Sequence, residues 1–282
     1  MTWTGDPLPW IGVGAATLGY LGAVLRVVRR HPATPVSRWR IAAWLAGVAV
    51  IAAALVSPVD AYADSLLTVH MIQHLLLTMV APPLLALGAP VTLALRAASP
   101  SVRRAVLLPV LHSRAVKLVS WPPIGWTVFA AVMWATHFTP LFNAALEDEG
   151  IHAVEHALYL AAGALFWWPV IGADPIRWRL GPVGRLVYLA AQMPLNTAVG
   201  LAIYFAPAIL YSHYASLGGT WGLDPLTDQQ LAGIVMWGVG DVILLGAVVL
   251  GVEAWLRGDE KRSRRTRERA AHNVDRASVE GQ

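Results

Sequence analysis

Histidine is the residue type through which this chain is best equipped to do chemistry, because imidazole is the commonest metal ligand in proteins. Six of the nine histidines lie near one end of the apolar runs, opposite to the end that carries the basic residues. These six are His70, His74, His137, His152, His156 and His213. Two pairs among them have a spacing of four residues, which stacks both rings on one face of a helix. The pattern predicts a metal or haem site on one side of a membrane.

Other side chains near the histidines could complete such a site. Glu155 lies between His152 and His156 and cannot share a helix face with both. It either accepts a hydrogen bond from the free ring N–H of a ligand histidine or is an interfacial acid that faces the lipid headgroups. Met71 and Met133 are the nearest thioethers, and a mixed set of His and Met suits Cu(I). The chain has no cysteine, so thiolate sites and disulfides are excluded.

Ordinary structural roles compete with the metal interpretation. A single interfacial histidine is usually solvated or caps a helix, and that applies most strongly to His213. Methionine within a span fills the core more often than it binds metal. Asp241 is the acid expected near the middle of the membrane, with Asn196 at a similar depth. It is either a functional acid or one side of a hydrogen bond between helices.

Composition places the chain among membrane proteins. Of its 282 residues, 56% are hydrophobic and 13% are charged, whereas a soluble domain has about 25% charged residues. A membrane span needs about 20 apolar residues, and backbone in lipid must be helical or in a closed barrel. We therefore predict an all-α polytopic bundle. Its seven predicted spans are roughly 8–28, 38–57, 66–87, 122–140, 150–170, 183–207 and 229–256.

Charge sets the predicted orientation. All 21 Lys and Arg residues fall within 26–40, 96–117, 177–185 and 257–276, and basic loops stay cytoplasmic. The connections after the second, fourth and sixth spans carry acids instead. This predicts an N-terminus outside, without a cleavable signal because Met1–Trp10 has no basic residue, and a cytoplasmic C-terminus. We divide the chain into a transmembrane domain at 1–256 and a basic, disordered cytoplasmic tail at 257–282.

Two runs resemble the bacterial CtaG family of caa-type cytochrome c oxidase assembly proteins. The first is HMIQH at 70–74 followed by APPLLALGAP at 81–90, and the second is HAVEH at 152–156 followed by FWWPV at 166–170. The resemblance covers about residues 40–255 and extends to the seven-span plan. It implies a multi-pass protein of the bacterial plasma membrane that matures cytochrome c oxidase by handling copper on the outer face. It carries over His70, His74, His152 and His156, whereas His137 and His213 come from the predicted topology.

The predicted function is a non-enzymatic copper chaperone, with Cu(I) as its cargo, membrane lipids around it and oxidase subunits as partners. A haem-binding electron carrier is one alternative, since spans three and five could supply axial histidines. A transporter that uses Asp241 for an ion or proton is another. An enzyme with a metal-activated water is less favoured because no set of nucleophile and base stands out. The net positive charge comes from the predicted cytoplasmic loops and tail, so nucleic acid is not an expected partner. The sequence does not predict the oligomeric state.

Overall fold

Runs of about 20 apolar residues favour helix in lipid, because a helix satisfies the backbone polar groups within one segment, and a computed structural model agrees. It describes the backbone at 7–175 and 177–280, and the side chains at 7–175, 177–260 and 263. Within these residues the regular structure is helical, apart from an isolated antiparallel bridge between Thr220 and Leu223. The all-α prediction is confirmed.

The longer helices are α1 Pro7–Arg30, α2 Arg38–Leu55, α4 Leu67–Leu75, α5 Ala81–Leu87, α6 Pro90–Ala97, α10 Pro122–Phe138, α12 Glu149–Ile171, α13 Pro182–Tyr204, α15 Pro225–Ile234 and α16 Gly240–Glu280. Short helices connect them: α3 Pro58–Ala63, α7 Pro100–Val102, α8 Leu108–Leu111, α9 Arg114–Val119, α11 Leu141–Glu147 and α14 Ser212–Ser216. Single π turns lie at Leu76–Val80, Arg103–Leu107 and Val235–Val239.

Six helical stretches within the described residues are long and apolar enough to cross a membrane, so this is a multi-pass membrane protein. They are Pro7–Arg30, Arg38–Leu55, Leu67–Ala97, Glu149–Ile171, Pro182–Tyr204 and Pro225–Glu260. These six correspond to six of the seven predicted spans. The remaining predicted span, 122–140, coincides with α10, which has 17 residues. The third stretch extends beyond position 87 because α6 continues after a kink at Ala89, whose φ is 49°.

Close packing ties α12 to the π turn that follows α4. A Cβ added at Gly163 of α12 would lie 2.7 Å from the Thr78 carbonyl oxygen. Trp167 donates from Nε1 to the same carbonyl at 3.1 Å. A π turn shifts the register of the residues on either side of it, and such turns often occur at functional sites. Here the π turn follows the helix of His70 and His74 and packs against the helix of His152 and His156.

The last helix continues beyond the predicted end of the transmembrane domain. The backbone is helical from Gly240 to Glu280, whereas a disordered tail was predicted to begin at residue 257. An exposed ion pair between Arg257 and Glu253 spans that boundary at 2.5 Å and has the spacing that supports a helix. The division of the chain into two domains stays a prediction.

Candidate metal centre

Two helices begin at the same end of the bundle and bring the paired histidines together there. His70 and His74 lie on α4 and are fully buried, and His152 and His156 lie in the first two turns of α12. His137 reaches the same place from the last turn of α10 and is also buried. The predicted spacing of four residues therefore does place both rings of each pair on one face.

The five rings form a continuous series of contacts. Ring centroids lie 4.1 Å apart between His156 and His152, and 5.4 Å apart between His152 and His70. The next steps are 4.3 Å from His70 to His74 and 5.4 Å from His74 to His137. Side chains from three helices thus meet in one histidine cluster, which we define as these five residues.

Two histidines of the cluster and one neighbouring carboxylate come close enough to bind one ion. One ligand atom each from His70, His152 and Glu155 lies within 4.8 Å of the other two. Glu155 is only 2% exposed. This buried group of two imidazoles and a carboxylate could hold a metal.

The hydrogen bonds of His70 and His137 leave one ring nitrogen of each free to bind metal. The Tyr214 hydroxyl donates to the Ala63 carbonyl at 2.6 Å, so it accepts from His70 Nδ1 at 3.1 Å. Burial, and next the Asp64 carboxylate, raise the pKa of Tyr214 well above its ordinary value, which keeps that hydroxyl protonated. His137 Nδ1 donates to the Met133 carbonyl at 2.7 Å, because a carbonyl can only accept. In both residues Nε2 therefore carries the lone pair.

The cluster contains many buried nitrogens without a hydrogen-bond partner. Six such ring atoms are found: His70 Nε2, His74 Nδ1, His74 Nε2, His137 Nε2, His152 Nε2 and His156 Nε2. An unpartnered buried polar group costs about 1–3 kcal/mol, and native proteins have only a few per 100 residues. A bound cation would satisfy several of them at once, so the residues present fit a metal.

Glu155 is buried beside the cluster. The hydrogen bond described for its carboxylate comes from the Tyr159 hydroxyl, at 3.3 Å. The Tyr159 hydroxyl has one proton and lies closer to Thr136 Oγ1, at 2.6 Å. The second oxygen, Glu155 Oε2, is buried without a partner. Glu155 is therefore placed as a direct ligand candidate.

Three other predicted residues, His213, Met71 and Met133, belong neither to the histidine cluster nor to the three-ligand group. Among the described ring contacts none links His213 to the cluster; its Nε2 donates to the Asp64 carbonyl at 2.9 Å. Met71 and Met133 pack in the hydrophobic core. The contact that Met133 makes with His137 runs through its backbone carbonyl.

Asp241 forms hydrogen bonds between helices, which is one of the two roles predicted for it. Asn196 donates from Nδ2 to Asp241 Oδ1 at 3.1 Å, and the Thr197 hydroxyl donates to Oδ2 at 2.5 Å. Asn196 also donates to the Met236 carbonyl at 3.2 Å. The group ties α13 to the start of α16.

Sequence reasoning missed the aromatic residues that enclose the cluster. Phe142 is 1% exposed, with its ring centroid 5.1 Å from that of His70, and Tyr159 lies 4.3 Å from His74. Tyr159 follows Glu155 by four residues, a spacing that could have drawn attention to it. Tyr214 and Phe142 come from connections with no such signal.

Asp228 fixes the start of the helix that carries His70 and His74. Its buried carboxylate accepts from Leu67 N at 2.7 Å, Thr68 N at 3.1 Å and the Thr68 hydroxyl at 2.6 Å. These are the N–H groups that a helix N-terminus leaves without partners, and the negative charge is favourable there.

Replacing Asp228 by Asn should therefore lower the stability of the protein by about 1–3 kcal/mol, since a buried amide cannot accept all three bonds. Thermal unfolding in detergent would show it. Asp224→Asn is the matched control, because Asp224 caps α15 in an exposed position and Asn caps such ends as well as Asp. Equal melting temperatures for both variants would contradict a positioning role of Asp228.

Comparison with known proteins places this geometry in context. Residues 18–258 match the family described as cytochrome c oxidase caa3 assembly factor. Uncharacterized proteins of Mycobacterium bovis and Mycobacterium tuberculosis are each 33% identical over 260 residues, which is 88% of this chain and 39% of theirs. An uncharacterized protein of Mycobacterium leprae is 31% identical over 268 residues, 92% of this chain and 40% of its own. The chain thus spans about 40% of the length of these curated relatives. No solved structure matches.

Proposed function

The chain belongs to the family of cytochrome c oxidase caa3 assembly factors, and on that premise we propose that it binds copper in the histidine cluster and passes it to an oxidase subunit during assembly. Family membership implies a role in assembly rather than catalysis. The observation that carries the copper proposal is the set of six unpartnered ring nitrogens beside the buried Glu155. Imidazole binds copper well, and a chain without cysteine has no thiolate to compete with it.

Transfer by ligand exchange is the proposed mechanism. His70, His152 and Glu155 hold the ion with an incomplete coordination sphere, and ligands of the oxidase subunit complete the sphere and then take the ion over. A closed site of four thiolates would resist such release. His74 and His137 lie one and two ring contacts beyond His70, so the cluster offers alternative ligands while the sphere changes.

Topology is part of the proposal. We take α10 as a seventh span, since its 17 residues measure about 26 Å at 1.5 Å per residue and the hydrocarbon core is about 30 Å thick. The ends of the helices with acidic connections, where the cluster lies, then face outward across the bacterial plasma membrane. Arg30, which donates to the Ala97 carbonyl, lies at the cytoplasmic ends of α1 and α6. The N-terminus is outside and the C-terminus cytoplasmic, as the basic residues favour.

The proposal can be tested by measuring cytochrome c oxidase activity in the bacterium that encodes the chain. Deleting the gene should remove most cytochrome c oxidase activity, and the wild-type gene should restore it. A gene with His70→Ala and His152→Ala should fail to restore activity although the protein accumulates to the wild-type level. Asp241→Asn should restore it. The opposite result would refute the copper proposal and favour a transporter: the double variant restores oxidase activity, and Asp241→Asn does not.

A further inference from the structure

A cavity of about 830 Å³ adjoins the histidine cluster. It lies between α1, α2, α5 and the first turns of α12, and most of its wall is apolar. Its charged and imidazole groups are Asp60, Asp64, Glu149, His152 and His156. All five come from the ends of elements that meet near the cluster, so the cavity has one polar end.

We propose that this polar end is the port through which the ion reaches and leaves the cluster, with His156 as the first ligand to receive it. The inference rests on the proposed function, because it assigns a route to the ion that the cluster binds. It adds a role for the cavity and separates His156 from the three-ligand group.

His152 connects the cavity to the buried site. It lines the cavity and also belongs to the three-ligand group with His70 and Glu155. His70 has no exposed surface, so an ion must reach it past another group. The stacked contact of 5.4 Å between the rings of His152 and His70 gives that step.

His156 has the position expected of a receiving ligand. It lines the cavity, its Nε2 has no hydrogen-bond partner, and its ring lies 4.1 Å from that of His152. It is not a member of the compact group around His70. A ligand that accepts the ion and then gives it up to a better site needs this combination.

The remaining sides of the cluster are closed by packed aromatic residues. Phe142, Tyr159 and Tyr214 are each 3% exposed or less. The acids at the cavity, by contrast, favour a cation there: Asp64 and Glu149 are exposed, and clefts lined by one sign of charge raise the rate at which opposite charges arrive. Charge and access therefore both point to the cavity.

A steric block tests the route. Ala153 lines the cavity between His152 and His156 in sequence, so Ala153→Phe should fill the polar end. Val154→Phe is the matched control, since Val154 is the next residue and is 66% exposed outside the cavity lining. The measurement is stopped-flow uptake of Cu(I) by the full chain in detergent, followed by removal with a chromogenic chelator.

Ala153→Phe should slow both uptake and removal by more than about tenfold, because the ion must then wait for local opening of the bundle. Its final copper content should equal that of wild type, which also shows that the variant folds. Val154→Phe should behave as wild type. Asp64→Asn combined with Glu149→Gln should slow uptake and weaken its dependence on salt.

The outcomes separate the two proposals. If wild type binds copper and Ala153→Phe takes it up at the wild-type rate, the port is refuted and the proposed function stands. If wild type takes up no copper, the proposed function fails and the port fails with it. An Ala153→Phe variant that has lost copper at equilibrium would place position 153 at the binding site itself, which also contradicts the port.

Discussion

Replacing His70 and His152 together by alanine is expected to abolish copper binding by the purified protein. The two residues supply two of the three ligand atoms that lie within 4.8 Å of one another, one from α4 and one from α12. We expect Cu(I) affinity to fall by more than about 100-fold, since even partners that only orient a ligand cost roughly 10- to 100-fold. Competition with a chromogenic Cu(I) chelator measures the change.

His213→Ala is the matched control for that variant. His213 belongs to the same end of the molecule, but its Nε2 donates to the Asp64 carbonyl and does not join the cluster. The His213→Ala substitution should change Cu(I) affinity by less than about threefold. It removes one exposed hydrogen bond, which contributes about 0.5 kcal/mol. Equal losses in both proteins would mean that copper binds elsewhere than in the three-ligand group. A visible haem spectrum in wild type would instead favour the electron carrier.

Glu155→Gln is expected to have the second largest effect on the site. The change keeps the size of the side chain and removes its charge, so it isolates the carboxylate as a ligand. Carboxylate oxygen prefers harder ions than imidazole does, so the loss for Cu(II) should exceed that for Cu(I). We expect Cu(I) affinity to fall by about 10- to 100-fold, a range known for residues around metal sites.

Glu147→Gln supplies the comparison for this second variant, because Glu147 is exposed at the end of α11, just before the helix that carries Glu155. It should bind both ions as wild type does. If Glu155→Gln matches Glu147→Gln, the carboxylate does not bind the ion, and its contact with Tyr159 at 3.3 Å is then its whole role.

The sequence predicted one group of six histidines, whereas the structure brings five of them into ring contact and directs His213 to the Asp64 carbonyl. A spacing of four residues fixes two rings on one face of any helix, so His70 with His74 and His152 with His156 could be paired in advance. The distribution of basic residues placed all candidates at one end. Which pair faces which depends on packing between helices, such as the contact of Gly163 with the Thr78 carbonyl, and no local pattern encodes that.

Glu155 shows most clearly what could not be predicted from the sequence. Along one helix Glu155 cannot share a face with both His152 and His156, so the sequence suggested either a hydrogen bond to a ligand histidine or a position at the lipid headgroups. The structure pairs it with His152 and with His70 of another helix. Tyr214 was missed for a related reason: it follows His213 in a connection, and the fold directs the tyrosine rather than the histidine toward His70.

The six long stretches follow predicted spans closely, except that the third runs to Ala97 and the prediction ended at 87. Hydropathy finds such stretches because a run of about 20 apolar residues is long enough to cross a membrane as a helix. Hydropathy is less decisive for α10, whose 17 residues sit at the lower limit for a span. It is also less decisive after position 257, where helical backbone continues without an apolar face to require it.

X-ray absorption at the copper edge of the Cu(I)-loaded full chain would test the central claim most directly. If the histidine cluster binds the ion, the nearest scatterers should be nitrogen or oxygen at about 2.0 Å, the range of metal–imidazole bonds, with the multiple scattering typical of imidazole rings. The signal should disappear in the variant that lacks His70 and His152. Sulfur as the nearest scatterer, which in this chain could come only from methionine thioethers, or an unchanged spectrum in that variant would contradict the account.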